Sequence, residues 1–369
     1  MNIYFKILLL NWMKITYRTI LGAMMVFPML VSCAENEMPT EEPLQEKKAI
    51  SWQVESDTAM QSRVLVDNSV LRNACTPNAD GTNETIGVWG DYTVNSGGQN
   101  ITVQEFVATP LTYVPNSNRW VYPGELKYWT PFVYNFRACY PQKQMTNLMT
   151  QMDATMFQGG PINTSTLQKD ILVAAKQVNA RTINLSEPVR LDMQHIFAAI
   201  KFKVKAASGF TPASGEGVTS CWLQNKNNAT NLFSPSGYLV HSGNAEPKIE
   251  WLPYESSVAP MYKWEHELGI SFQNENTLYT YNGGAVGEEY TQNSGWVLIV
   301  PQSVQEGTLQ FCYTLKKAGS QVFSVNIPAI TYEHGKQYTY MLEIRGSQAT
   351  IKLTIKPWNH LDSSYDMTI

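Results

Sequence analysis

The sequence predicts an all-β protein made of two tandem β-sandwiches behind an export signal and a tether. Three observations support this prediction. After residue 48, apolar and polar residues alternate with a period of two along much of the chain, as in strands with one buried and one wet face. Turn sequences rich in Asn, Gly, Ser and Pro separate these segments. Hydrophobic residues make up 43% of the 369 residues, which is enough for two cores.

The N-terminal segment 1–32 has the features of a signal peptide. Lys14 and Arg18 precede an apolar run over residues 20–30, which is too short to cross a bilayer as a mature helix. A complete signal also begins at Met13, so Met13 is an alternative start of translation. We therefore predict that the chain is exported.

The signal ends in Leu30-Val31-Ser32-Cys33, which resembles the lipobox of bacterial lipoproteins. The small Ser32 gives a lipoprotein peptidase access to the next peptide bond, and the thiol of Cys33 can accept a diacylglycerol. Several acyl chains on one residue anchor a protein almost irreversibly, because each buried methylene contributes roughly 0.8 kcal/mol. Cys33 is therefore the predicted lipidation site, with anchorage to the outer membrane. Residues 33–48, rich in Glu, Pro and Lys, predict a tether.

The alternating segments predict strands that each bury one face. They lie around residues 50–54, 200–204, 309–315, 338–344 and 351–355. The uniformly apolar run 296–300 predicts a strand buried on both faces. Turns are predicted at 95–98, 115–118, 234–237 and 282–284.

Only two short segments are helix candidates. The helix candidates are 145–156 and 167–177, and the apolar centre of the second is equally typical of a buried strand.

The pattern of strands predicts a domain boundary. A seam near 186–188 divides the chain into an N-terminal sandwich, 49–187, and a C-terminal sandwich with a terminal strand, 188–369.

The sequence shows no arrangement of catalytic, metal-binding or cofactor-binding residues. None of the five histidines stands at metal-ligand spacing, and no phosphate-binding or nucleophile motif is present. Asp192 precedes His195 by three residues, so in a strand the two side chains face opposite ways. We therefore interpret His195 as a packing or hydrogen-bonded histidine. The stretch 264–267 (WEHE) is predicted to be a wet loop or strand edge. We predict no enzyme activity, cofactor or metal.

The formal net charge of −4 gives no electrostatic reason for a nucleic-acid partner. Aromatic residues at 120–122 and 128–129 have two interpretations. They could stack on a sugar, which would make the chain a surface glycan-binding lipoprotein, or they could fill a sandwich core. We favour the core.

The sequence contains four further cysteines, Cys75, Cys139, Cys221 and Cys312. Two interpretations of their state remain open. In an exported chain they could form two disulfides in any of three pairings. Alternatively they are four separate buried thiols, which we favour.

Seven segments resemble motifs of the fimbrillin family, the lipoprotein-derived pilins of Bacteroidota, and particularly its Mfa-like branch. They are TIGVWGDY at 85–92, FRACYP at 136–141, DILVA at 170–174, VRLDMQHIFAAIKF at 189–202, LIVPQ at 298–302, GKQYTY at 335–340 and IKPW at 355–358. Their order and spacing match the family, although Met193 stands where the family usually has Phe. Glu35 and Glu37 resemble the acidic tag of surface-exposed lipoproteins in this phylum.

The resemblance implies two transthyretin-like sandwiches and a structural or accessory subunit of a surface fimbria that serves cell adhesion, as stalk, tip or anchor. In stalk members an arginine-directed protease removes the first strand, and a strand from the next subunit fills the groove. Arg63 is the implied processing site and Arg72 the alternative. The implied partners are other fimbrial subunits by donor-strand exchange, the outer membrane through lipid, and a host or bacterial surface ligand.

Two further expectations follow from the resemblance. Asp57-Thr58-Ala59 resembles the O-glycosylation site of exported proteins in this phylum, which makes Thr58 a candidate. Residues 359–369 offer apolar side chains at alternate positions and are the expected donor strand, with 349–356 staying in the second domain.

Overall fold

The computed structural model shows that Lys47–Ile369 form one compact unit. Within it the structure describes residues 47–56, 66–142, 152–153, 156–157, 162–164, 169–207, 217–227, 233–234, 236–242, 248–253, 261–265, 279–280, 292–293, 296–317, 319–345, 348–357 and 365–368. Among these residues no helix is long and apolar enough to cross a membrane.

Among the described residues, ten strands precede residue 196. They are β1 (Trp52–Ser56), β2 (Ile86–Ser96), β3 (Gln99–Val114), β4 (Arg119–Val121), β5 (Val133–Tyr140), β6 (Met152–Asp153), β7 (Met156–Phe157), β8 (Ile162–Asn163), β9 (Leu172–Asn179) and β10 (Val189–His195). The described part of this half also contains α-helix α1 (Asn68–Ala74) and the 3-10 turn Pro115–Ser117.

Fifteen strands follow in the part of the chain that the structure describes. They are β11 (Ala198–Ala206), β12 (Gly217–Asn225), β13 (Ser236–Ser242), β14 (Lys248–Pro253), β15 (Met261–Glu265), β16 (Tyr279–Thr280), β17 (Gln292–Asn293), β18 (Val297–Ile299), β19 (Gln302–Val304), β20 (Leu309–Lys317), β21 (Gly319–Asn326), β22 (Ile330–Tyr332), β23 (Lys336–Arg345), β24 (Gln348–Pro357) and β25 (Tyr365–Thr368). The all-β prediction is confirmed.

Seven strands form the first lobe, a sheet in the order β1-β10-β9-β5-β2-β3-β4 that closes through a β1–β4 pair. A sandwich whose two sheets are hydrogen-bonded at both edges is topologically a barrel, and the closing contact here is the single pair Trp52–Trp120. The alternating side chains of these strands point inward and form one apolar core. The predicted turn at 95–98 joins β2 to β3, with Gly97 and Gly98 at φ 61° and 81° as a tight two-residue hairpin requires.

Two facing sheets form the second lobe, as predicted for a sandwich. One has the order β17-β11-β23-β24-β25, with β18 on β11, and the other has the order β15-β12-β20-β21, with β16 on β12. The predicted apolar faces of 200–204, 309–315 and 338–344 lie in the core between these sheets. β18 is buried on both faces, which also confirms the prediction for this run.

The helix predictions were wrong where the structure describes them. Leu172–Asn179 is strand β9, whose residues 172–175 are all buried between neighbouring strands, so the strand alternative holds. The other candidate is strand at residues 152–153 and 156, and its remaining residues lie outside the described part of the chain. Helix α1 was not predicted, although Asp67 marks its start by accepting a hydrogen bond from the Val70 amide.

The change from one lobe to the other falls later than the predicted seam at 186–188. β10 pairs with β1 and β9, and its inward residues Leu191 and Met193 lie in the first core. The sheet changes only after His195, because β11 pairs with β23 and β18 of the second lobe. The division into two separate domains stays a prediction.

Candidate functional site

The first strand, β1, is bonded unequally on its two sides. It runs parallel to β10 along its whole length, from the Trp52–Val189 pair to the Ser56–Met193 pair. On the other side it meets β4 only at Trp52. Most of one long edge of β1 therefore lacks a partner strand within the described structure.

The inward face of β1 is fully integrated into the first core. Ile50, Trp52 and Val54 are all buried, as their spacing predicts. The Trp52 ring lies 5.2 Å from Phe106 and 5.0 Å from Phe136, at interplanar angles of 81° and 84°. Such edge-to-face pairs add to the free energy gained from burial. Loss of β1 would open a long apolar groove in this lobe.

Charged side chains of β1 and β10 meet on the outer face of the sheet. Arg190 on β10 lies 2.9 Å from a carboxylate oxygen of Glu55 and 2.7 Å from one of Asp192. Exposed ion pairs of this kind contribute little to stability. Asp192 therefore binds Arg190 and not His195, which confirms the expected separation of Asp192 from His195.

Beyond β1 the chain returns to the described structure at Val66. The Asn68 side chain accepts a hydrogen bond from the Ser56 amide at 2.7 Å, which ties the end of β1 to α1. Thr58 and Arg63 lie between Ser56 and Val66, outside the described residues. Cys33, which precedes β1, is also outside them.

The alternative processing residue, Arg72, lies in the last turn of α1. Its carbonyl accepts a hydrogen bond from the Thr76 hydroxyl at 2.8 Å, and its guanidinium carbon lies 5.4 Å from the centre of the Tyr113 ring. A protease that binds its substrate as an extended strand could cut after Arg72 only if this helix first unfolded.

A buried histidine–carboxylate pair is hydrogen-bonded to the backbone just before α1. His195 Nδ1 is 2.8 Å from Asp170 Oδ2, and both side chains are completely buried. The same carboxylate oxygen accepts a hydrogen bond from the Val66 amide at 3.0 Å. His195 is thus a hydrogen-bonded packing residue, as interpreted. Asp170 was not singled out beforehand, because only the pairing of β9 with β10 brings these two residues together.

Two residues, Ile196 and Phe197, link the lobes, and their backbone is held from several directions. The Ile196 amide donates to the Ile171 carbonyl, and the Ile196 carbonyl accepts from the Trp251 indole at 2.8 Å. The Phe197 carbonyl accepts from the Gly335 amide at 2.8 Å. Both side chains lie in a small apolar cluster shared by the lobes. The link is therefore rigidly packed.

Two buried side-chain amides, missed in the sequence analysis, hold a segment of the second lobe. Asn225 donates to the Phe233 carbonyl and accepts from the Phe233 amide, at 2.7 and 2.8 Å. Gln302 does the same for Ser234 at 2.7 and 2.8 Å. A polar residue directly after a buried apolar run, as in LIVPQ, is the sequence signal for such a role.

The four described cysteines are buried and free. Burial raises the pKa of Cys75 to about 12, with the Glu84 carboxylate adding to the effect, and raises the pKa of Cys312 to about 11. Burial also raises the pKa of Cys139 and Cys221. At neutral pH all four are protonated, unreactive thiols. Of the two interpretations left open, four separate thiols is the one that the structure adopts.

The aromatic residues considered as a sugar platform divide between core and surface. Trp120 and Trp129 are buried in the first core, while Tyr128 is 40% exposed. The core interpretation is confirmed for both tryptophans. Glu265 ends β15, whereas residues 266–267 lie outside the described residues. Among the described residues no cluster of His, Cys, Asp and Glu could hold a metal ion.

The terminal strand β25 lies at the edge of its own sheet. It pairs antiparallel with β24, from Ile355–Tyr365 to Lys352–Thr368. The other long side of β24 pairs with β23 over ten residue pairs, so β24 is firmly held in the second lobe. β25 is thus a short outermost strand, and Ile369 lies outside the described residues.

Comparison with known proteins gives a family match over most of the chain and several similar solved structures. The family model described as fimbrillin-like matches residues 73–358. No curated protein matches the chain. Similar solved structures include a fimbrial protein from Bacteroides vulgatus, with 13% identity, coverage of 84% of this chain and 99% of that chain, and a TM-score of 0.49.

Two others are the tip fimbrial protein Mfa3 from Porphyromonas gingivalis and a fimbrial assembly protein from Parabacteroides distasonis. The first has 12% identity, covers 77% of this chain and 97% of its own, and has a TM-score of 0.38. The second has 9% identity, covers 88% and 100%, and has a TM-score of 0.35. The resemblance found in the sequence motifs is confirmed by the family model, and this chain belongs to the fimbrillin-like family.

Proposed function

We propose that this chain is a structural or accessory subunit of a surface fimbria that serves cell adhesion and catalyses no reaction. The observation that carries this proposal is the fimbrillin-like match over residues 73–358. The role within the fimbria is that of stalk, tip or anchor subunit. The chain is exported, held on the outer membrane through lipid at Cys33 and displayed at the cell surface, and Thr58 is a candidate site for O-glycosylation.

The proposed assembly route is donor-strand exchange at the position of β1. Cleavage after Arg63 would break the covalent link between β1 and the rest of the lobe. Only noncovalent contacts would then hold the segment that contains β1, so it could be released. The vacated groove, beside β10 and above Phe106 and Phe136, would accept a strand from another subunit. Arg63 suits this step better than Arg72, whose peptide bond lies in a helix.

Shearing of surface filaments tests the proposed function. Filaments are detached from cells and purified, and the chain is sought in them by mass spectrometry. We expect the chain in the filament fraction, with peptides that begin at Val64 if Arg63 is processed and at Cys33 if it is not. Confinement to the cell body and complete absence from filaments would contradict a fimbrial role, with an abundant outer-membrane lipoprotein as the fractionation control.

The variant Cys33→Ala tests the lipid anchor. Without the thiol no diacylglycerol can be attached, so we expect loss of label from a radioactive or clickable fatty acid and loss of the protein from the outer membrane. Cys75→Ala is the matched control, because its thiol is buried in the first core and should not influence labelling. Equal labelling of wild type and Cys33→Ala would show that the anchor lies elsewhere.

Deletion of residues 361–369 tests the proposed donor strand. β25 contributes only an outermost strand of four residues, so we expect the thermal unfolding temperature to change by only a few degrees. Incorporation into filaments should be lost, because the groove of the neighbouring subunit would stay empty. Normal incorporation of the shortened chain would show that these residues are not the donor. A loss of incorporation together with unfolding would assign β25 to the stability of the subunit itself, which also contradicts the donor role.

A further inference from the structure

A surface pocket lies at the end of the first lobe that is remote from the second lobe. β5 and β9 run antiparallel, and their residues Cys139 and Val173 pack in the cluster shared by the two lobes. At the opposite end of the same strands, Val133 pairs with Asn179, and both residues line a pocket of about 330 Å³. This volume is at the lower end of the range of small-ligand sites, which is roughly 300–1,000 Å³.

The residues that line the pocket combine polar groups with an apolar surface. Thr93, Val133 and Asn179 line the pocket from three neighbouring strands, and Val133 is 43% exposed. In the described structure neither the Thr93 hydroxyl nor the Asn179 amide nitrogen makes a hydrogen bond. Phe132 also lines the pocket, and its ring is fixed by parallel stacking on Tyr92 with centroids 4.9 Å apart and an interplanar angle of 9°.

The lining also includes Arg181, whose guanidinium group is held in position. Its Nε donates to the Pro131 carbonyl at 2.7 Å, and its backbone amide donates to the Asn179 side chain at 3.1 Å. The Ala180 amide donates to the Phe132 carbonyl at 3.0 Å, which holds the turn beside the loop that carries Pro131. No carboxylate among the described residues forms an ion pair with Arg181.

The two terminal nitrogens of Arg181 therefore remain available as a fork that matches a carboxylate. The pocket thus presents a carboxylate-binding fork, a hydroxyl and an amide for hydrogen bonding, and an aromatic ring and Val133 for an apolar face. A sugar ring that carries a carboxylate offers this same set of groups. A neutral sugar would leave the guanidinium unused, and a plain carboxylate would leave the apolar wall unused.

We propose that this pocket binds an acidic sugar unit, such as a uronic acid. The Arg181 fork holds the carboxylate, the ring packs against Phe132 and Val133, and the ring hydroxyls bond to Thr93 and Asn179. The site is built from β2, β5, β9 and two turns, and it uses neither β1 nor β25. It therefore does not depend on the proposed assembly route, and a failure of one leaves the other standing.

Ligand-observed saturation-transfer NMR on the full chain in detergent tests the site. The probes are sodium glucuronate, glucose, which differs from it only at the sixth carbon, and acetate, which lacks the ring. We expect saturable binding of glucuronate that weakens as salt is added, with glucose and acetate each at least tenfold weaker. Equal binding of glucose and glucuronate, or of acetate and glucuronate, would overturn the proposal, as would absence of saturable binding.

Arg181→Gln removes the fork and should weaken glucuronate binding about tenfold to a hundredfold, to the level of glucose. Arg181→Lys keeps the charge without the fork and should fall between the two. Arg119→Gln is the matched control, because Arg119 is exposed on β4 outside the pocket, and it should bind as wild type. A thermal melt checks that each variant is folded. Wild-type affinity in both Arg181 variants would overturn the assignment, and loss of affinity in Arg119→Gln would show a general charge effect and overturn it equally.

Discussion

Replacement of Asp170 by alanine is expected to lower the free energy of unfolding by about 3–5 kcal/mol, since removal of one partner from a fully buried histidine–carboxylate pair has a cost of this size. The change leaves the His195 ring and the Val66 amide without their acceptor in a place that water does not reach. A typical domain has a total stability of about 5–15 kcal/mol, so the loss is a large share. Urea unfolding followed by tryptophan fluorescence measures it.

The control for this experiment is Asp192→Ala. Asp192 is exposed and pairs only with the exposed Arg190, so its loss should change the free energy of unfolding by less than about 1 kcal/mol. If the two alanine variants were equally stable, Asp170 would have no special part in holding Val66 and the lobe junction together.

Trp52→Ala should destabilise the first lobe by about 3–5 kcal/mol, because loss of a buried tryptophan leaves a cavity that the surrounding sheet cannot fill by relaxing. Trp52 also pairs with Trp120, which closes the described sheet onto β4, and makes the edge-to-face contacts with Phe106 and Phe136. Urea unfolding gives the difference, monitored by circular dichroism because the variant lacks one fluorophore.

Gln53→Ala is the matched control on the same strand, because Gln53 points to solvent. It should change the free energy of unfolding by no more than about 0.5 kcal/mol. A Trp52→Ala variant as stable as Gln53→Ala would mean that β1 does not contribute to the first core, and would remove the structural basis for a groove at this position.

The strands were predictable from the sequence where one side of a sheet faces water. Ile200, Phe202 and Val204 alternate with lysines, so the pattern and the burial agree. The same rule was ambiguous for β9, since its first residues are buried on both faces and show no alternation. A continuous apolar run fits a helix or a strand, and only the neighbouring strands decide between them.

The contacts between distant segments could not be predicted from the sequence. The Asp170–His195 pair depends on the register of β9 against β10, and the Arg181 pocket combines residues from three strands and two turns. The pairing of β10 with β1, and hence the change of sheet after His195, also depends on contacts between distant segments. The position of α1 was readable from Asp67, whose side chain caps the helix.

The parallel pairing of β1 with β10 also constrains the order in which the chain can fold. Trp52 begins the strand of this lobe that comes first in the sequence, while its partner Val189 begins the strand of the lobe that comes last. Contacts between residues so distant in sequence form late, because the intervening segment must first give up its conformational freedom. The hairpin of β2 and β3 and the pairing of β2 with β5 need only shorter loops and can form first. The folding chain therefore passes through a stage in which the lobe is largely assembled and the place of β1 is still vacant.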